Sequence, residues 1–276
     1  MTVMTRRHEL TVLLLLAVAL LAAGCSTGSR TGKAGKIKRV DSVAPRYDIG
    51  DDAATRQRLK REEKLGLAMN RLQGGDVAAA DALVREVLKQ DPRSADAWTV
   101  QAVVRDNQGN AQGAGEAYRK AAELAPDQGD NLNNYGAWLC ANGFPAEALV
   151  WFDRALAAPN YRTPAAALAN AGGCALQAGQ AERAGENLRK ALELDPGNAY
   201  ALEAMARYAY GRRSYFEARA FSERRLAAAP ATASVLQLAI QIEQGLGDKV
   251  AASRYQQRLV QEFPQTTTAN PGAKAL

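Results

Sequence analysis

The chain has almost no histidine. Its 276 residues contain one, His8, near the N-terminus. A protein that has lost its first residues would have none. That removes histidine-assisted nucleophiles, imidazole general bases and histidine-containing zinc sites. Cysteine is nearly as scarce, at positions 25, 140 and 174. Three so widely scattered thiols do not make a cysteine-only metal cluster. Aromatics form 6% of the chain. No nucleophile motif and no glycine-rich phosphate loop stands anywhere in it. Acidic pairs such as Glu62–Glu63 lack any partner constellation and read as exposed helix faces. The expectation is a protein that is not an enzyme, with no cofactor, no metal and no small-molecule substrate.

The net charge of +6 hints at nucleic acid until it is located. Between Ser26 and Arg46 six basic residues stand against Asp41, a net of +5. From Tyr47 to Leu276 there are 27 basic and 27 acidic residues, a net of zero. A nucleic-acid module carries its basic patch on the fold. Here it sits in one short Gly/Ser/Thr/Lys/Arg-rich segment, which is expected to be a flexible tether. Either the tether lies on anionic headgroups, or its charge only keeps it extended. No nucleic-acid partner is expected.

What is present starts with the first 25 residues. Arg6 and Arg7 precede an apolar run from Leu10 to Ala23, followed by Gly24 and Cys25. At 1.5 Å rise per residue this run is about 21 Å long, short of the ~30 Å bilayer core. It has the layout of an export signal. The string "LAAGC" (Leu21–Cys25) resembles the lipobox of bacterial lipoproteins, with Ala22 where leucine is more usual. The resemblance implies diacylglycerol on the Cys25 thiol, cleavage before it and acylation of the new amine. Ser26, where an aspartate would favour retention at the inner membrane, implies transfer to the outer membrane.

Alanine-rich, glycine-punctuated stretches fill the rest and read as helix. Prolines recur at 92, 126, 196, 230 and 264, with gaps of 34, 70, 34 and 34. The 70 is two periods plus two residues, which fit the "APNYRTP" loop around Asn160. Twelve residues before each mark stands an alanine: Ala80, Ala114, Ala148, Ala184, Ala218 and Ala252. Seventeen before stands a glycine in five units: Gly75, Gly109, Gly143, Gly179 and Gly247, with Arg213 in the sixth. This resembles the tetratricopeptide repeat, in six copies over roughly residues 59–265. Each unit is expected to be two amphipathic helices joined by a glycine turn, with the alanine allowing close approach within the pair. Gly136 and Gly172 are expected to allow the same between pairs. No unit buries its apolar face alone, so the units stack. The expected fold is all-α: a right-handed superhelical solenoid of six tetratricopeptide repeats. Trp98, Trp138, Trp151, Tyr135 and Phe152 fall at core phases.

The first helix of each unit lines the concave side. In the first unit the lining places are Leu65, Met69 and Leu72, one apolar stripe at i, i+4, i+7. Later units place Thr99, Val103 and Asp106, then Glu203, Arg207 and Tyr210, then Gln237, Gln241 and Gln244 there. The groove thus begins apolar and ends polar. The stripe either receives a partner's helix or strand, or is covered by Tyr47, Ile49 or another N-terminal cap. Asn134 and Asn170 hold matching places in units three and four. They either grip a partner's backbone through paired donor and acceptor, or order neighbouring helices. Cys140 and Cys174 differ by two residues in phase, about 200° around a helix. They are therefore expected to face apart and remain free thiols, although an oxidising periplasm would permit a bridge.

A lipobox, a basic tether and six such repeats together resemble the pilotin-type lipoproteins of type IV pilus biogenesis, the PilF/PilW family. "NLNNYGAWLCANGFPAEAL" (Asn131–Leu149) resembles that family's third repeat and "SADAWTVQAVVRDNQGNAQGAGEAYRKAAELAP" (Ser94–Pro126) its second. The resemblance implies an outer-membrane lipoprotein, anchored through Cys25 to the inner leaflet and facing the periplasm. It implies one protein partner, the pilus secretin subunit, whose outer-membrane localisation and ring assembly it promotes. The alternative is another periplasmic repeat lipoprotein, a scaffold for outer-membrane protein assembly or an adaptor for peptidoglycan enzymes. The expected organisation is a cleaved leader over 1–24, the lipidated cysteine and tether over 25–46, the repeat domain over 47–265 and a flexible tail over 266–276.

Overall fold

The computed structural model describes residues 52–159 and 161–264. The leader, Cys25, the tether, Tyr47, Ile49, Asn160 and the tail lie outside the described residues. The described chain is twelve α-helices in six antiparallel pairs. The pairs are α1 (Ala53–Gln73) with α2 (Val77–Gln90), α3 (Ala95–Asn107) with α4 (Ala111–Leu124), and α5 (Gly129–Ala141) with α6 (Pro145–Ala157). They continue with α7 (Pro164–Gln177) and α8 (Ala181–Leu194), α9 (Ala199–Gly211) and α10 (Tyr215–Ala228), and α11 (Ala233–Leu246) and α12 (Lys249–Glu262). Set back one period of 34 from Ala95 the first helix would begin at residue 61, and it begins eight residues earlier, at Ala53. Asp52 caps it there by accepting from the Thr55 amide.

Local chemistry sets the other boundaries. Asp76, Ser94, Asn110, Asn198, Thr232 and Asp248 each accept a hydrogen bond from the amide three residues on. Pro145 and Pro164 open their helices at a place where a missing N–H costs nothing. At the other end proline pushes its predecessor out of the α region. Asp91 and Asp195 leave the helix at φ −139°, ahead of Pro92 and Pro196.

The turn inside each pair is the same six times. The amide after the turn residue bonds the carbonyl five residues back, from Asp76 to Arg71, Asn110 to Arg105, Phe144 to Leu139, Gln180 to Ala175, Ser214 to Ala209 and Asp248 to Glu243. That closure needs a left-handed residue. The five glycines that keep the repeat phase supply it at φ of 71° to 88°, and Arg213 supplies it at φ 60°.

Packing follows the small residues. The six in-phase alanines are all buried, five of them without any exposed surface. Gly136 and Gly172 work within a pair, not between pairs as expected. A Cβ on Gly136 would come within 2.9 Å of Phe152, on the second helix of the same unit, and one on Gly172 would strike Leu188. Between pairs the approach is made by other glycines under aromatic rings: Gly115 under Trp138, Gly173 under Tyr200 and Gly185 under Tyr208. Successive first helices touch one another, while second helices make no comparable mutual contact. The first helices therefore form the inner, concave layer. Phe152 and Tyr135 are core; Trp98, Trp138 and Trp151 are half-buried. Among the described residues no helix is long and apolar enough to cross a membrane.

Candidate functional site

The concave layer is built from one face each of α1, α3, α5, α7, α9 and α11. Its start is less open than the sequence implies. Leu65 is only 8% exposed and belongs to the core that α1, α2 and α3 share with Ala68, Val84 and Val100. Met69 and Leu72 pack against the same core and stay half-buried. The i, i+4, i+7 stripe is wide enough to face both the next helices and the groove. Leu65 falls on the inward side. Met69 and Leu72 are the part of the stripe that stays partly exposed.

In the middle the groove is threaded by side-chain hydrogen bonds. Thr99 on α3 donates to Asn131 on α5 at 2.9 Å, and Asn131 donates to Gln128 at 2.8 Å. Asn170 on α7 donates to Asn133 on α5 at 3.0 Å. The structure does not bring Asn134 and Asn170 together. The Asn170 amide serves the joint between units three and four, one residue out of register with the expected pair.

Asn134 instead lines an open cleft of about 430 Å³ between units two and three, with Asp106, Tyr118, Ala137, Trp138, Ala141 and Asn142. Trp138 lies parallel to Tyr135, with ring centroids 6.2 Å apart. Its indole Nε1 is buried and has no hydrogen-bond partner among the described residues. Partial burial raises the Asp106 carboxyl above the ordinary carboxylate range. Burial, and then the charge of Asp106, pushes the Tyr118 phenol up to about 12. At neutral pH the cleft therefore holds one carboxylate and a neutral phenol.

The far end of the groove is polar. Arg207 pairs with Glu203 at 2.7 Å along α9. Gln237, Gln241 and Gln244 on α11 are exposed.

Two joints escaped the sequence reading. Cys140 on α5 and Cys174 on α7 form a disulfide, with Cα atoms 5.8 Å apart. Free thiols facing apart are therefore not what the chain contains. Parallel neighbours meet through opposite faces, so a difference near 200° in phase brings side chains together. The second joint is an ion cluster. Arg219 on α10 pairs with buried Glu243 on α11 and with Asp248 at 3.2 Å, tying unit five to unit six. Charges of both signs are too frequent along these helices for a sequence to single out such a triad.

The fold and groove define a tetratricopeptide-repeat solenoid, an architecture that receives protein partners. Two sequence profiles of that repeat match residues 65–129 and 165–198. The type IV pilus assembly protein PilF of Pseudomonas aeruginosa is 29% identical over 236 residues, covering 84% of this chain and 90% of that protein. The crystal structure of PilW, a widely conserved type IV pilus biogenesis factor, is 32% identical with a TM-score of 0.68, covering 74% of this chain and 94% of that one. The structure of P. aeruginosa PilF is 28% identical with a TM-score of 0.67, covering 76% and 94%. The chain belongs to the PilF/PilW family of type IV pilus biogenesis factors, proteins that serve an assembly of the cell envelope.

Proposed function

We propose that this chain is a pilotin: an outer-membrane lipoprotein that binds the type IV pilus secretin and promotes its localisation and multimer assembly. The observation that carries the reading is the family relation, which extends along nearly the whole of PilW. The lipobox at Cys25 and the groove supply a mechanism. Acyl chains on Cys25 bury about 0.8 kcal/mol per methylene, and several together give lasting attachment to the inner leaflet. Met69 and Leu72 offer an apolar wall to a secretin segment, and Asn134 offers a donor and an acceptor to its backbone. Leu65 and Asn170 hold those residues in place from behind. Secretin subunits held along a surface meet at raised effective concentration.

The test places glutamate at Met69 and Leu72 and leaves Leu65 alone, since a charge there would enter the core. The expected result is stable lipoprotein and monomeric secretin. Normal secretin rings with both substitutions present would overturn the proposed contact. Normal rings and normal pili after deletion of the whole chain would overturn the pilotin role. A defect confined to outer-membrane protein assembly or peptidoglycan enzymes would then favour the scaffold or adaptor reading.

A further inference from the structure

The cleft between units two and three contains an acidic side chain that pairs with no other described residue. The Asp106 carboxyl lies in this cleft at the end of α3, with neither a hydrogen-bond nor a salt-bridge partner among the described residues, while farther along the groove Thr99, Asn131 and Asn170 are tied to one another's helices. Two aromatic side chains, Tyr118 and Trp138, wall the same space, and Ala137 and Ala141 keep it open. Asn134 stands beside it with an amide the inter-repeat bonds leave unused.

We propose that this cleft is a subsite for a positively charged side chain, lysine or arginine, on an extended partner segment. The inference rests on the reading of the groove as a protein-binding surface and adds the chemistry of one residue that must occupy it. Three features agree on a cation. Asp106 supplies the opposite charge in a place where partial burial already disfavours leaving it bare. Aromatic side chains line the same cleft, and a guanidinium or ammonium within about 6 Å of an aromatic ring is attracted to it. The volume of about 430 Å³ admits a long side chain together with the backbone that carries it. Asn134 then engages the amide of that same residue. Tyr118 is kept neutral and adds no competing charge. An acidic segment would meet Asp106 unfavourably, and a purely apolar one would strip its water with no compensation.

The test needs no secretin. The full chain is labelled with ¹⁵N at its tryptophan indoles, and the Trp138 N–H resonance is assigned by Trp138→Phe. Nα-acetyl-arginine amide is titrated beside its neutral isostere, Nα-acetyl-citrulline amide, and beside Nα-acetyl-leucine amide. The arginine probe is expected to move the Trp138 resonance saturably, with about fivefold tighter binding than citrulline. Asp106→Asn should abolish that preference and Asp106→Glu should keep it. The Asp106 carboxyl bonds no other described side chain, so neither variant threatens the fold, and a melting temperature no lower than that of the natural chain checks this. No movement of the resonance overturns the proposal. Equal movement by citrulline, or movement by leucine alone, overturns it in favour of a neutral or apolar occupant. A failed pilotin role would show separately, as intact secretin rings without this chain, while the arginine preference stood.

Discussion

Cys140 and Cys174 are bridged across parallel helices α5 and α7, although about 200° of helical phase separates their places in the repeat. The bridge lies inside the largest stretch of core, which also contains Tyr135, Phe152 and Leu149. Beside it run two hydrogen bonds between the same helices or their caps, Asn170 to Asn133 and Thr163 to Asp130 at 2.9 Å. A solenoid is held only by contacts between neighbours, so units three and four form its most constrained joint.

The first prediction concerns that joint. The bridge closes a loop of 34 residues. Chain entropy alone puts its contribution at about 3–4 kcal/mol. Cys140→Ser with Cys174→Ser is expected to lower the melting temperature by roughly 10 °C. Calorimetry of the oxidised chain, with and without reductant, measures it. Equal melting temperatures would mean that packing holds the two units without the bridge.

A repeat period tells where each helix starts and stops, and here it located the six helix pairs while missing the early start of α1 at Ala53. It located Gly75 and its four equivalents at the left-handed turn, and the alanines from Ala80 to Ala252 in the core. It says less about rotation between neighbours. Facing side chains come from opposite faces of successive helices, so residues that differ in repeat phase can meet. That is why the Cys140–Cys174 pair, the Asn170–Asn133 bond and the under-ring glycines were not legible, while the repeats were. Leu65 was misplaced for a different reason: an apolar stripe does not say which of its edges meets core and which meets groove.

A second prediction follows from Arg213. It adopts φ 60° where the other five units have glycine. A Cβ in that region costs about 1–2 kcal/mol, partly offset by the greater unfolded-state freedom of glycine. Arg213→Gly is expected to raise stability by about 0.5–1 kcal/mol, and Gly109→Arg to lower it by a similar or greater amount. Urea unfolding midpoints at unchanged slope would report both. A fall in midpoint for Arg213→Gly would mean that the arginine makes compensating contacts at the turn.

A third prediction separates two helical glycines. A Cβ on Gly115 would drive into the six-membered ring of Trp138, whereas one on Gly66 meets nothing within 4 Å. Gly115→Ala is therefore expected to destabilise by about 1–3 kcal/mol and to shift tryptophan emission to the red as Trp138 is displaced. Gly66→Ala is expected to stabilise by about 0.5–1 kcal/mol through helix propensity alone, with unchanged emission. Two opposite signs from one chemical change would locate the close inter-repeat approach at Gly115. If both substitutions stabilise, Trp138 has room to move and α4 and α5 are not in tight contact.

The last prediction uses the sign of the Asp106 shift. Its carboxyl is raised in the folded chain by partial burial, so folding favours the protonated form. A group raised on folding contributes stability that is fully present below its unfolded value and is lost as pH rises through its folded value. At neutral pH the bare carboxylate is thus a small net cost to the free protein, and Asp106→Asn should be slightly more stable than the natural chain. The difference should shrink as the pH falls through the carboxylate range, where the natural residue becomes neutral too. Melting curves of both proteins from neutral pH down to the acid limit of folding check the slope. A bound cation reverses the sign, because the charged form then has a partner. Adding Nα-acetyl-arginine amide at neutral pH should therefore raise the melting temperature of the natural chain and leave Asp106→Asn unchanged. If the natural chain is instead the more stable at neutral pH without any ligand, Asp106 already has an internal partner and the cleft is not waiting for one.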